Sequence, residues 1–211
     1  MLMRAARARS LDSQPRWLVP ALRAALNRSA RQERVDVLGR SEVARTLWHF
    51  TRDTETVIQV LDAGLQRGTS RFRSTHAERA AAYAAADLGP AAAPLVPGLL
   101  RVLDEPACAP AAAWALLNAD PEAVSVPLAV LADHLVAAAG ADGGGFRDEA
   151  VDLLREISRR DPSAVSASAR ARLRNLAERP RRVVCGSYDD MIRDDEALRA
   201  GVRDLLRDLG D

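Results

Sequence analysis

The chain reads as an all-α protein, a solenoid of stacked antiparallel helical hairpins, and three observations predict this. One short text is written three times, as "TRDTETV" at residues 51–57, "NADPEAV" at 118–124 and "RRDPSAV" at 159–165. Helix-forming segments with apolar residues three and four apart flank every copy. The copies recur with a period of about 33 residues once one insertion is set aside. A hairpin of that size cannot bury its apolar face alone, so stacking must supply the core.

Each copy places an aspartate, Asp53, Asp120 or Asp161, where a helix must begin. A carboxylate there accepts hydrogen bonds from the free amides of the first turn and meets the positive end of the helix dipole. Proline next to it, as at Pro121 and Pro162, occupies the position where a missing N–H costs nothing. A catalytic pair at Asp120 and Glu122 is the competing reading. Three copies of such a pair would be redundant, whereas a repeated hairpin requires its cap each time.

The units follow in order. Residues 15–40 are a partial unit, "PRWLVPALRAALNRS" looking like a second helix without its first. Units then span 41–68, 75–105, 108–139 and 146–179. In the unit at 75–105 the cap gives way to Gly89-Pro90, where glycine supplies a left-handed helix end and proline starts the next segment. The second helices share Val-Pro, at 19–20, 96–97 and 126–127, and proline is tolerated in a first turn. Asp120 and Asp161 are 41 residues apart, longer than one period, and the glycine-rich "AAAGADGGG" at 137–145 accounts for the excess. Residues 189–211 form an amphipathic terminal helix with Leu198, Val202, Leu205 and Leu209 at helical spacing, suited to cover the open end of a stack.

Composition narrows the function. The chain has 211 residues, 48% hydrophobic, and a net charge of +1, so it can bury a core without metals or disulfides and has no global field for nucleic acid or an anionic membrane. Charge is uneven along it: Arg outnumbers Asp and Glu nine to three in 1–40 and again in 155–182, and is outnumbered nine to two in 80–150. All 30 cationic residues are Arg, which a genome rich in G and C explains. Cys108 and Cys185 lie far apart without metal or disulfide spacing, and a reducing cytoplasm is the expected setting. No apolar run of signal-peptide length follows the basic N-terminus. The weakly polar stretch at 80–100 is mostly alanine, contains Asp87 and three prolines, and is no membrane span.

No constellation of catalytic or metal-ligating residues emerges, and no cofactor is expected. His49, His76 and His134 are isolated and read as surface or partly buried side chains. Gly143, Gly144 and Gly145 precede a helix but lack the lysine and hydroxyl residue of a phosphate loop. Trp17, Trp48 and Trp114 read as core or groove packing. The arginines of the last unit, Arg155, Arg159, Arg160, Arg170, Arg172, Arg174, Arg179, Arg181 and Arg182, are the one concentration of chemistry. Arg170 and Arg174 are four apart and share a helix face, with Arg181 and Arg182 just beyond. These four are the candidate partner-binding residues, and charge reversal of the first two is expected to leave stability nearly unchanged.

Three segments, "ARTLWHFTRDTETVIQVL" at 44–61, "AAAYAAADLGPAAAPLVPGLLRVL" at 80–103 and "AAAWALLNADPEAVSVPLAVL" at 111–131, resemble HEAT repeats, in particular the short bacterial form labelled PBS lyase HEAT-like. The resemblance covers about residues 15–178. The last unit departs from the pattern, with Arg170, Arg172 and Arg174 at aliphatic positions. The resemblance implies a right-handed, HEAT/armadillo-like superhelix acting as a noncatalytic protein–protein scaffold; the arginine series points to an acidic protein surface as partner, and the composition to no membrane. Its alternative is a nucleic-acid binder or enzyme similar to the HEAT-like DNA glycosylases. A chromophore lyase rests on the repeat's name alone.

Overall fold

The computed structural model describes residues 17–31, 37–66, 74–119, 126–141, 146–179 and 188–211. These are all-helical, without a strand. In chain order the helices are α1 (Leu18–Arg31), α2 (Val37–Thr51), α3 (Thr54–Leu65), α4 (Ser74–Leu88), α5 (Val96–Leu103), α6 (Ala109–Asn118), α7 (Leu128–Gly140), α8 (Arg147–Arg160), α9 (Ala167–Glu178) and α10 (Tyr188–Asp208). No helix among the described residues is long and apolar enough to cross a membrane.

Local chemistry sets the helix ends. Asp53 caps α3: its carboxylate accepts the Thr56 amide at 3.3 Å and the Thr56 hydroxyl at 2.9 Å. Those bonds, with a smaller effect from Arg23 at 3.3 Å, hold the Asp53 carboxyl below its ordinary value. Gly89 takes φ +59° at the end of α4, the left-handed turn expected of it. Pro90 then opens a 3-10 segment, Gly89–Leu95, so α5 starts only at Val96.

Two expectations about these ends need revision. Asp161 caps only a 3-10 turn, Pro162–Ala164, through the Ser163 amide at 2.9 Å. The following helix α9 is capped five residues later by Ser166, whose hydroxyl accepts the Ala169 amide at 3.1 Å. The first helix of the unit placed at 41–68 begins earlier, at Val37. Asp120, Gly143, Gly144 and Gly145 lie outside the described residues.

Packing follows a regular order. The even-numbered helices form a series in which α2 contacts α4, α4 contacts α6, α6 contacts α8 and α8 contacts α10. Among the odd-numbered helices, α3 contacts α5 and α7 contacts α9. Most chain neighbours pack as well: α1 on α2, α2 on α3, α3 on α4, α5 on α6, α6 on α7, α7 on α8 and α9 on α10, while α4 and α8 each pack on the 3-10 segment that follows them. One apolar cluster runs from Leu26 in α1 to Leu206 in α10.

Alanine dominates its middle. Ala81, Ala82, Ala84 and Ala85 of α4 and Ala111, Ala112, Ala113 and Ala115 of α6 are buried, which lets two backbones approach closely while leucines such as Leu65, Leu99 and Leu131 fill the flanks. Trp48 and Trp114 pack against this cluster while only partly buried. Trp17 does not: it is 66% exposed before the first turn of α1, beyond the reach of the core.

Close approach has a testable consequence at Gly64 of α3, where an added Cβ would stand 3.0 Å from the Cβ of Ala81. A Cβ cannot rotate away. Gly64→Ala should therefore lose stability, by about 1–3 kcal/mol, although alanine is the better helix former; a urea midpoint at or above the parent's would show that α3 and α4 are not in this contact. Asp53→Ala should cost about 1 kcal/mol as a lost cap. Since the folded-state pKa lies below the ordinary 3.8, the carboxylate's contribution is present above that value and fades as pH falls through the depressed one. Parent and variant should converge in acid, and a difference independent of pH would refute capping by the ionised group.

Candidate functional site

An open groove of about 480 Å³ lies between α7 and α9. Val136, Ala137 and Gly140 form one wall. Ser168, Arg172, Asn175, Leu176 and Arg179 form the other. These positions recur every three or four residues, so a single stripe of α9 faces the groove. Its floor is apolar and its rim carries two guanidinium groups. Arg172 is exposed and makes no hydrogen bond or ion pair among the described residues. Arg179 spends only its Nε, donated to Asn175 Oδ1 at 3.3 Å.

Other arginines of this region are engaged within the chain, Arg159 and Arg160 with Glu156 on the surface. Arg170 is half-buried and donates to three backbone carbonyls: Val165 at 3.0 Å, Pro162 at 3.3 Å and Leu209 at 3.0 Å. Arg174 reaches the Asp211 carboxylate at 3.0 Å. Both therefore grip the C-terminal end of α10, where carbonyls without helical partners and the negative end of the helix dipole favour a cation. Arg155 adds a bond to Gly201 O at 3.4 Å. Within α10 the buried pair Arg199–Asp195 closes at 2.7 Å, and Arg199 also donates to Arg179 O.

Arg170 and Arg174 do share a face, as their spacing requires, and that face is turned to the terminal helix. Arg181 and Arg182 lie outside the described residues. Arg172 and Arg179, the groove-facing pair, belong to the same arginine series but not to the four singled out from sequence; the stripe 168, 172, 175, 176, 179 is the signal that finds them.

The remaining reactive groups are quiet. Cys108 is buried and donates to Thr75 O at 3.4 Å; burial, with the negative charges of Glu78 and Glu105, pushes its thiol up to about 12, so it is no nucleophile near neutral pH. Burial also raises Glu78. His134 approaches Asp104 at 3.8 Å, and His76 meets Arg79. Among the described residues no three His, Cys, Asp or Glu side chains converge to hold a metal ion.

No protein-family model matches the chain, and no curated protein or solved structure matches it significantly.

The two sequence-selected arginines should now separate in their effects. Arg170→Ala leaves three carbonyls without their charged donor and should lower stability by about 2 kcal/mol. Arg174→Ala removes one exposed ion pair, worth under about 1 kcal/mol. The expectation that both are dispensable for folding is thereby revised for Arg170; thermal melts of the two single variants measure the difference, and equal small losses would restore it.

Proposed function

We propose that the chain is a noncatalytic interaction scaffold, a right-handed HEAT-like α-solenoid whose α7–α9 groove receives an acidic segment of a protein partner. The solenoid reading is supported by the packing order: the even-numbered helices from α2 to α10 touch in series, and most successive helices pack on each other, as in a stack of hairpins. In that reading α10 covers the C-terminal end of the stack, burying Leu198, Val202 and Leu205.

The groove reading is carried by one observation. While Arg155, Arg170 and Arg174 are engaged within the chain, Arg172 stands at the groove without an internal carboxylate, and Arg179 beside it has most of its donors left. An arginine fork meets a carboxylate in two parallel hydrogen bonds, and the apolar floor at Val136 and Leu176 suits the aliphatic parts of such a segment. The alternative of a nucleic-acid groove has less support, because the acidic middle of the chain, with nine Asp and Glu against two Arg in 80–150, opposes a continuous basic surface for phosphates. Trp114 lines a different cleft, next to a carboxylate.

The test is a titration of the protein with a peptide rich in Asp and Glu, and separately with duplex DNA, each at two salt concentrations. Arg172→Glu with Arg179→Glu should weaken peptide binding about tenfold or more at low salt and leave the melting temperature unchanged. Equal affinity in the double variant would place the surface elsewhere. Duplex binding that falls steeply with salt and disappears in the same variant would favour the nucleic-acid reading.

A further inference from the structure

A second cleft lies on the even-numbered helices, with chemistry opposite in sign to the groove. It encloses about 290 Å³ between α4, α6 and α8 and is lined by Tyr83, Pro110, Trp114, Glu149, Asp152 and Leu153. Tyr83 and Trp114 stand 6.1 Å apart, ring planes at 68°, so two aromatic walls meet at an angle. The Tyr83 hydroxyl donates to the Glu149 carboxylate; burial, then that carboxylate, pushes the phenol well above its ordinary value, which keeps it a donor. Pro110 and Leu153 complete an apolar floor.

Negative charge at the rim is in excess. Glu149 forms no ion pair among the described residues. Asp152 gives one oxygen to Arg155 at 2.8 Å and keeps the other. The other nearby cation, Arg79, is occupied: its guanidinium lies 3.9 Å over the Phe146 ring and donates toward His76 at 2.9 Å. Asp148 on the same helix is raised first by burial and then by the charges of Asp194 and Asp152, with Arg147 opposing them.

We propose that this cleft is a binding site for an arginine side chain presented by a protein partner, with the guanidinium against the Tyr83 and Trp114 rings and paired to Glu149. Ring faces attract a cation through their quadrupole. A planar guanidinium both stacks on a ring and bonds a carboxylate in fork geometry, which an ammonium cannot. The anionic rim and aromatic walls select against an acidic or phosphorylated ligand. This site does not depend on the α7–α9 groove, since the two share no lining residue, and either can fail alone.

The test is NMR titration of the indole N–H of Trp114 with three short blocked peptides that differ only at one central position: arginine, its neutral isostere citrulline, and lysine. The arginine peptide should shift the Trp114 signal in a saturable way, lysine should bind more weakly, and citrulline should bind weakest. Glu149→Gln retains an acceptor for the Tyr83 hydroxyl and should weaken the arginine peptide about fivefold, the size of a partly exposed charge pair. Its fold is checked by the unshifted resonance of Trp48, which packs against the core. Absence of a saturable shift, equal response to citrulline, or unchanged affinity in the Glu149 variant would each overturn the proposal.

Discussion

Close contact between alanine faces is the constraint on which the rest of the structure depends. Aromatic residues make up 4% of the chain, and none is fully buried among the described residues. An alanine removes little apolar area from water, so stability must come from drawing helices near enough for backbone atoms to supply the contacts that larger side chains would otherwise make. Gly64 and Gly98 mark where this goes furthest, with room for no Cβ beside Ala81 and Leu65. The same spacing shapes the aromatic cleft: α4 and α6 pack closely, with Tyr83 and Trp114 in edge contact.

At the C-terminal end the chain changes its means of attachment. Leu173 and Leu176 of α9 and Leu198 and Leu205 of α10 are buried where the two helices pack, but α9 also carries arginines among its apolar residues. Arg170 makes up for the lost apolar area with three carbonyl acceptors, two of them in the irregular segment before α9 and one at the end of α10. Carbonyls at a helix end have no intrahelical donor, so a guanidinium there satisfies groups that aliphatic side chains would leave bare. The arginines of α9 thus divide in two: Arg170 and Arg174 bond to the C-terminal end of the chain, and Arg172 faces the groove.

Features set by local chemistry were readable from sequence; those decided by neighbours were not. The Asp53 cap and the left-handed Gly89 follow from residue type and position within a few residues. Asp161 and Ser166 both offer caps, five residues apart, and nothing local chooses between them. Packing of Ala164, Val165 and Ala169 into the core assigns the turn to one and the helix to the other. Likewise the spacing of Arg170 and Arg174 defines a face without saying what it meets. The aromatic cleft left a trace that only the period reveals, for Tyr83, Trp114 and Glu149 are separated by roughly one repeat each. Trp17, apolar by type, precedes the first helix and stays 66% exposed among the described residues.

A net charge of +1 conceals the way charge is distributed over the two clefts. The acidic middle of the chain contributes Glu149 to the even-numbered helices, and the basic end contributes Arg172 and Arg179 to α9. A ligand within about 10 Å of either cleft meets its local field and little of the other, since salt screens exposed charges beyond that distance. The two clefts also differ in how they would hold a charge. Contacts to the exposed groove arginines act through water and weaken as salt rises, whereas a cation between Tyr83 and Trp114 loses much of its solvent and interacts at shorter range. A partner that bridges both would keep its hold on the aromatic cleft at salt concentrations that release it from the groove, so salt dependence separates the two contacts without any mutation.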